Sequence, residues 1–373
     1  MTGLYPHNNG LIGLAHIGWE FREEVRCLPH HLNDAGYATD LVGLQHESAR
    51  PERVGYQHVH PTGGRARDVA AAVAGLLRDH AASGDAQPFY LNAGIVEPHR
   101  PYQQEGYRSD DPEAVTPLPW LPDRAGIRRD IADLNGMVYA VDEAVGTIRA
   151  ALADTGLERD TLLIFTTDHG LAMPRAKGTC YDAGLKTVLI LRLPGRFDGG
   201  RRVGDLLTNC DLLPTILEFV GAPPAEGLDG RSFLGLLDGT ASGSRESIFA
   251  EMTWHDKYNP MRAIRTTRHK YIRNFGERPL VYLPLDIYQG LAGQEVREEY
   301  YASPRPAEEL YDLQADPLEM NNLVGDPKHA ELLGDLRARV QAWMEETDDP
   351  LLRGDVPPTP EQAERIREWN SAN

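Results

Sequence analysis

Apolar residues along the chain fall into two patterns. Short continuous apolar runs predict strands, and apolar residues at three- and four-residue steps predict helices. The predicted strands cover residues 38–42, 89–91, 162–165 and 187–191, with an alanine-rich helix over 69–77 and a long helix over 131–152 between them. Continuous apolar runs are typical of strands covered on both faces. The alternation therefore predicts an α/β domain with a mostly parallel sheet flanked by helices.

Polar residues follow three of these predicted strands. His46, His99 and the pair Asp168 and His169 each come shortly after a different strand. Ligands of open parallel sheets bind beyond the carboxyl ends of the strands, so we expect these side chains to meet at one rim. Histidines and a carboxylate at such a rim predict acid–base chemistry or metal binding.

The character of the sequence changes after Gly243. Short strand-like segments at residues 247–249, 261–266, 270–272 and 310–313 are separated by polar turns, and an amphipathic helix is predicted over 332–343. We predict an α/β domain over residues 1–243 and a smaller domain, with an antiparallel sheet and a helix, over residues 244–373. The proline-containing tail from Asp349 onward is expected to be mobile or to lie along the surface.

Composition excludes several classes of partner. Hydrophobic residues make up 41% and charged residues 25% of the 373 residues, which is ordinary for a globular enzyme. The net charge is −18 and there is no basic block, so neither nucleic acid nor a membrane surface is an expected partner. No apolar stretch approaches the length of a membrane span. The first ten residues have no signal-peptide pattern, and localisation is left open.

An ordered set of motifs resembles the sulfatase family of the alkaline-phosphatase-like superfamily. The motifs, in chain order, are Met1-Thr2-Gly3, Thr167-Asp168-His169-Gly170, Lys177-Gly178-Thr179, Asp211-Leu212-Leu213-Pro214 and Leu310-Tyr311-Asp312-Leu313. Within that family the sulfamidases (heparan N-sulfatases) are the most similar group. Four segments carry this second resemblance: Asn9-Gly10, Glu97-Pro98-His99-Arg100, Pro260-Met261-Arg262 and Glu345-Glu346-Thr347-Asp348-Asp349-Pro350.

The resemblance implies roles for the residues at the predicted rim. Asp168 and His169 match two ligands of one divalent cation, usually Ca²⁺, although Ca²⁺ prefers oxygen to an imidazole nitrogen. His99 matches a histidine near the leaving-group atom, and His46 matches one that supports the nucleophile. Lys177 matches a cation that contacts the sulfate oxygens. The resemblance thus implies catalytic roles for His46, His99 and Lys177.

The resemblance also implies a substrate. We expect hydrolysis of a sulfate ester or a sulfamate, with a small N-sulfated sugar as the leading candidate and with substrate-binding roles for Glu97, Arg100, His255 and Arg262. A homodimer is left open. The other histidines, His16 among them, are expected to be structural or on the surface.

Two departures from the family pattern bear on activity. Leu44 stands where many sulfatases carry a lysine, so catalysis is expected to depend more on Lys177. The family's Cys-x-Pro-x-Arg motif, whose cysteine becomes formylglycine, and its paired metal-binding aspartates are not found in the sequence. Cys27-Leu28-Pro29 resembles the first half of that motif but lacks the arginine. Cys27 is therefore expected to be an ordinary residue that precedes a helix beginning near Pro29. We therefore expect an N-terminally truncated sulfatase with an incomplete metal site, which by itself binds sulfate without hydrolysing it.

Two alternatives remain open. A phosphoesterase of the same superfamily also carries an Asp-His-Gly motif, although its two-metal members need more His and Asp ligands, so metal stoichiometry would separate it. A non-catalytic binding protein, which kept the fold and lost the chemistry, is the other alternative. The DNA sequence upstream of the Met1 codon would distinguish this alternative from a sulfatase: an in-frame Cys-x-Pro-x-Arg motif indicates a misplaced start, and a stop codon or unrelated sequence favours the non-catalytic protein.

Overall fold

Helices and strands alternate through most of the chain. The computed structural model describes residues 1–84, 86–197, 199–240 and 245–372. The strands are β1 (Ala38–Gly43), β2 (His58–His60), β3 (Phe89–Gly94), β4 (Leu163–Thr166), β5 (Leu189–Arg192), β6 (Ser247–Trp254), β7 (Tyr258–Thr266), β8 (His269–Asn274) and β9 (Glu308–Asp312). The helices are α1 (Pro6–Asn9), α2 (Leu28–Asp34), α3 (Ala66–Ser83), α4 (Ala125–Asp154), α5 (Asp182–Leu185), α6 (Leu212–Phe219), α7 (Leu234–Asp238), α8 (Leu285–Gln289), α9 (Leu291–Tyr301), α10 (Ala330–Glu346) and α11 (Pro360–Ala372). None of these helices combines the length and the apolar character needed to cross a membrane.

Three parallel strands form the first sheet, in the order β2-β1-β3. β1 pairs with β3 along its whole length, from Ala38 opposite Phe89 to Gly43 opposite Gly94. α3 packs on this sheet and α4 packs on α3. Their shared core consists of Val42, Ala66, Val69, Ala70, Val73, Ala74, Leu77, Ala144, Ile148, Ala151 and Leu152. The alanine-rich face predicted for α3 is therefore a packing surface, and the predicted α/β architecture with a parallel sheet is confirmed.

β4 and β5 depart from the parallel arrangement. They pair with each other in antiparallel fashion, with Leu163 opposite Arg192 and Thr166 opposite Leu189. The only helix in the segment between them is the four-residue α5, so the long helix that usually forms the crossover between parallel neighbours is missing there. In the described part of the chain these strands are also not covered on both faces, since Ile190 is 57% exposed. The prediction of full coverage was wrong for this pair.

Four antiparallel strands form the third sheet, in the order β6-β7-β8-β9. α10 packs across it and contributes Leu336, Val340 and Trp343 to a core shared with Ile264 and Tyr271. This small sheet with its helix was predicted from the sequence and is confirmed. The predicted domain boundary after Gly243 falls on residues outside those described and remains a prediction.

The segment between β3 and α4 and the beginning of the tail are both packed into the protein. The segment between β3 and α4 has neither helix nor strand beyond residue 94, yet Tyr102, Val115 and Leu121 lie buried against α4 and α9. The beginning of the tail is also buried, since Asp349 is fully buried and Leu351 nearly so, whereas most side chains from Leu352 onward are exposed, as expected for a tail that lies along the surface. A tail can be held in this way when buried polar contacts compensate the loss of chain entropy.

Arg262 lies at the centre of those contacts. The side chain on β7 is fully buried, and its Nη2 lies 2.9 Å from Asp349 Oδ1 and 3.2 Å from Glu251 Oε2. Glu251 Oε2 in turn lies 2.8 Å from His7 Nδ1. This ion network joins α1, β6, β7 and the segment after α10, which are far apart in the sequence.

We predict that Asp349→Asn lowers the free energy of unfolding by roughly 3–5 kcal/mol, because removing one partner leaves the buried guanidinium undercompensated. The neighbouring Asp348→Asn is a matched control, since that side chain is 84% exposed and should matter little. Urea denaturation followed by circular dichroism measures both variants. Equal losses in the two variants would contradict a dominant role for the buried pair.

Candidate functional site

Paired glycines mark the rim where β1 and β3 end. A Cβ on Gly94 would lie 1.7 Å from the carbonyl oxygen of Leu44, and a Cβ on Gly43 would lie 2.4 Å from the carbonyl oxygen of Gly94. Only glycine permits this close approach of two backbone segments. The loops that diverge from it carry His46 and His99, so the rim predicted from the strand ends is present.

His99 has a defined ring orientation. Its Nδ1 lies 2.6 Å from the carbonyl oxygen of Arg100. A carbonyl oxygen only accepts hydrogen bonds, so Nδ1 carries the proton and donates it. Nε2 of the exposed ring is then the nitrogen available for exchanging a proton with a bound molecule.

Lys177 lies in the loop between β4 and α5 and is 6% exposed. Its Nζ donates to Oδ2 of Asp286, the second residue of α8, at 2.9 Å. Burial raises the pKa of Asp286, but the charge and hydrogen bond of Lys177 outweigh burial and hold that pKa below its ordinary value. The two groups therefore form an ion pair that orients the ammonium group. The charges of His99 and His255 also act on Asp286, which places both imidazoles near the pair.

His46 connects these groups into one cluster. The surrounding protein partly removes its ring from water, which lowers the pKa of His46, and the positive charges of His99 and Lys177 lower it further. The negative charge of Asp168 acts in the opposite direction. All four side chains are thus close enough to interact electrostatically. The structure brings together the three residues predicted as catalytic and one of the two predicted as metal ligands.

Asp168 and His169 follow β4 directly. The Asp168 side chain is 86% exposed, and its Oδ2 lies 3.6 Å from His169 Nε2. His169 Nδ1 donates to the carbonyl oxygen of Gly170 at 2.7 Å. An exposed carboxylate suits a divalent cation, but Ca²⁺ takes about 6–8 oxygen ligands. The pair supplies only part of such a coordination sphere.

One other group has the composition of a metal site. Within residues 1–84, 86–197, 199–240 and 245–372, His7, Glu251 and Asp349 form the only set of three His, Cys, Asp or Glu whose ligand atoms lie within 4.8 Å of one another. The Arg262 guanidinium contacts both carboxylates of this set. A cationic side chain thus already occupies the position between them, and the set is structural.

His255 contributes a further imidazole from the turn between β6 and β7 of the C-terminal sheet. Its Nδ1 donates to Asp256 Oδ2 at 2.9 Å, and the same oxygen accepts the backbone N–H of Leu285 at 2.6 Å. Burial raises the pKa of Asp256, but the hydrogen bond and charge of His255 bring it down to about 2. Asp256 is therefore ionised at neutral pH and holds the His255 ring in place. His255 is the predicted substrate-binding residue that the structure brings near Lys177.

The other three predicted substrate-binding residues have internal partners. Glu97 accepts the backbone N–H of Ala66 at 2.8 Å and the Tyr107 hydroxyl at 2.6 Å. Arg100 forms a buried ion pair with Asp130 at 2.7 Å. Arg262 is fully buried in the ion network of β7. These contacts favour positioning roles for all three residues over contact with substrate.

Sequence reasoning missed three residues of the cluster. His16 was expected to be structural or on the surface; its side chain is exposed, and its ring lies 5.8 Å from that of His46. Asp256 and Asp286 were not singled out either. Asp256 directly follows the predicted His255, which was a usable signal, but Asp286 follows a proline–leucine pair with no motif around it. Only the packing of α8 against the Lys177 loop brings Asp286 to the site.

Comparisons with known proteins identify the family of the chain. The family profile described as Sulfatase matches residues 1–222, and the profile described as N-sulphoglucosamine sulphohydrolase, C-terminal, matches residues 170–286. The chain is 31% identical over 281 residues to an ulvan-active sulfatase from Formosa agariphila, covering 72% of this chain and 46% of that protein. It is 28% identical over 406 residues to human N-sulphoglucosamine sulphohydrolase, covering 94% of this chain and 80% of that protein. The chain thus spans about half of the first relative and most of the second.

Solved structures show the same fold. A glycosaminoglycan 2-O sulfatase superposes with a TM-score of 0.71 at 22% identity, covering 97% of this chain and 83% of that chain. A protein in complex with its substrate D-glucosamine-2-N,6-O-disulfate superposes with a TM-score of 0.67 at 17% identity, covering 94% of this chain and 87% of that chain. With a family profile that matches more than half of its length, and with this architecture, the chain belongs to the sulfatase family.

Proposed function

We propose that the protein hydrolyses a sulfate ester or a sulfamate on a small sugar, with an N-sulfated glucosamine as the leading substrate. The observation that carries the proposal is the convergence of Lys177, His99 and His46 beside Asp168 at the rim of the parallel sheet. The match to the N-sulphoglucosamine sulphohydrolase C-terminal profile supports the choice of sugar. A relative bound to a glucosamine disulfate supports it as well.

Lys177 is proposed to bind the sulfuryl group. The three non-reacting oxygens of that group carry negative charge, and a fixed cation stabilises the charge best when it needs no reorganisation. Asp286 supplies that fixation, because it holds Lys177 Nζ at 2.9 Å in a position shielded from water. A divalent cation, with Asp168 as one of its ligands, would add positive charge to the same oxygens.

His99 is proposed to protonate the departing atom. With Nδ1 donating to the Arg100 carbonyl, Nε2 of the doubly protonated ring can deliver its proton to a leaving oxygen or amine nitrogen, which leaves the ring neutral. An amine nitrogen departs poorly without a proton, so a sulfamate substrate depends strongly on this step. Arg100 serves the step indirectly, because its own ion pair with Asp130 keeps the His99 loop in place.

None of the three cysteines is proposed as the nucleophile. Burial raises the pKa of Cys27 and of Cys210 to about 11 and that of Cys180 to about 12. The thiolate is the reactive form of cysteine, so at neutral pH these thiols are not activated.

The substrate class is tested by assaying the mature gene product on three compounds: N-sulfoglucosamine, an aryl sulfate and a phosphodiester. We expect the highest kcat/KM on N-sulfoglucosamine. A preference for the phosphodiester would instead establish the phosphoesterase alternative. Binding of N-sulfoglucosamine without turnover of any of the three would establish the non-catalytic alternative.

We predict that His99→Gln lowers kcat of the mature protein by about 10²–10⁴-fold, the usual contribution of a general acid. His58→Gln is the matched control, because the His58 side chain is 61% exposed on β2, away from the cluster. The assay compares N-sulfoglucosamine with an activated aryl sulfate. Since an activated phenolate departs without protonation, His99→Gln should impair the aryl sulfate less. Equal impairment on both substrates would contradict the proposed general acid.

We predict that Asp168→Asn weakens the binding of one divalent cation by at least about 10-fold, because a carboxylate ligand is replaced by a neutral amide. Binding is measured as the rise in melting temperature of residues 1–373 with added CaCl₂. Asp154→Asn, at the exposed end of α4, should retain the full rise of the unsubstituted chain. The same rise in the Asp168 variant would show that this carboxylate is not a ligand.

A further inference from the structure

The C-terminal helix α11 docks against the candidate site by specific polar contacts. The Thr359 hydroxyl, just before the helix, donates to the carbonyl oxygen of Ile17 at 2.6 Å. Gln362 is fully buried, and its Nε2 donates to the carbonyl oxygen of Asp256 at 2.8 Å. Trp19 Nε1 donates to Gln362 Oε1 at 3.4 Å. These contacts tie α11 both to the segment around His16 and to the strand end that carries His255.

The docking places Arg365 beside the cluster. Residues three apart on a helix lie on the same face, so Arg365 follows Gln362 toward the site. Burial is the main cause that lowers the pKa of His16, and the positive charge of Arg365 is the next. The charges of His46 and His255 act on His16 as well. Arg365 therefore lies close to His16, which borders the cluster of His46, His99 and Lys177.

The guanidinium of Arg365 has no fixed carboxylate partner. Within the part of the chain that the structure describes, Arg365 is exposed and forms no ion pair, whereas Arg100 is paired with Asp130. Asp256, in the turn between β6 and β7, is the carboxylate whose charge acts on His16. Its Oδ2 already accepts from His255, Leu285 and, at 3.4 Å, the Tyr282 hydroxyl. The position thus offers the charged N–H groups of Arg365, with the ring of His16 beside them, to an external anion.

We infer that Arg365, His16 and His255 form a second anion subsite, which binds a further sulfate or carboxylate group on the sugar. The inference rests on the proposed function, because Lys177 takes the sulfuryl group that is cleaved. His46 lies between the two positions. The positive charge of Lys177 lowers the pKa of His46, and the His46 ring lies 5.8 Å from that of His16. A sugar with two anionic groups can occupy both positions at once. The substrate class is therefore a multiply anionic sugar.

Calorimetric binding to residues 1–373 tests the subsite without requiring turnover. Three ligands are compared: N-sulfoglucosamine, glucosamine with both N- and 6-O-sulfates, and N-sulfoglucosamine linked to a uronic acid. We expect one or both of the doubly anionic ligands to bind more tightly than N-sulfoglucosamine. Arg365→Gln should reduce that preference about 10-fold, the value of one charge-assisted hydrogen bond, and Arg365→Lys should restore part of it. The ligand that shows the effect identifies the second group as sulfate or carboxylate.

Arg367→Gln is the control, because Arg367 is an exposed arginine two residues further along the same helix, where side chains do not share a face. It should keep the preference of the unsubstituted chain. No preference for either doubly anionic ligand, or a preference that survives Arg365→Gln, overturns the inference. If the mature protein hydrolyses no sulfated sugar while Arg365→Gln still removes the preference, the proposed function fails and the subsite stands.

Discussion

The buried pair of Arg100 and Asp130 is the constraint on which the site depends most. Arg100 Nη1 lies 2.7 Å from Asp130 Oδ2, and its Nε donates to the carbonyl oxygen of Ala172 at 2.8 Å. Asp130 Oδ2 also accepts the backbone N–H of Ala292. The pair thus joins the His99 loop, the loop leading to Lys177, α4 and α9. Because a buried charge is costly without its partners, few other arrangements of these loops are accessible.

Electrostatics at the site differ from those of the molecule as a whole. The chain carries a net charge of −18, which by itself would repel an anionic sugar. Salt screens charges beyond about 8 Å at physiological ionic strength, so nearby groups decide binding. Lys177 is oriented by Asp286, and His255 by Asp256, so each carboxylate fixes a donor instead of facing an anion alone. In this way an acidic protein can hold an anion in a local pocket.

Local sequence patterns were sufficient where neighbouring residues set the structure. The apolar run in β1 and the alanine-rich face of α3 predicted the parallel sheet and its covering helix, because both elements bury a periodic face. The direction of β5 was not predictable, since an apolar run pairs equally well in either direction. The burial of Asp349 was not predictable either, because its partner Arg262 lies 87 positions away.

The same division applies to the site. The sequence by itself determined that His46 and His99 meet at one rim, since each follows a strand of the parallel sheet and parallel strands end together. Asp168 follows β4, which lies outside that sheet, so the tertiary structure decided its position beside His46. Only the tertiary structure decided which other charged side chains lie at the site. Arg100 and Arg262 pair inside the protein, whereas Asp286 and Arg365 reach the site because α8 and α11 pack there. A charged residue has the same local pattern in either setting, so its role depends on distant elements that supply or withhold a partner.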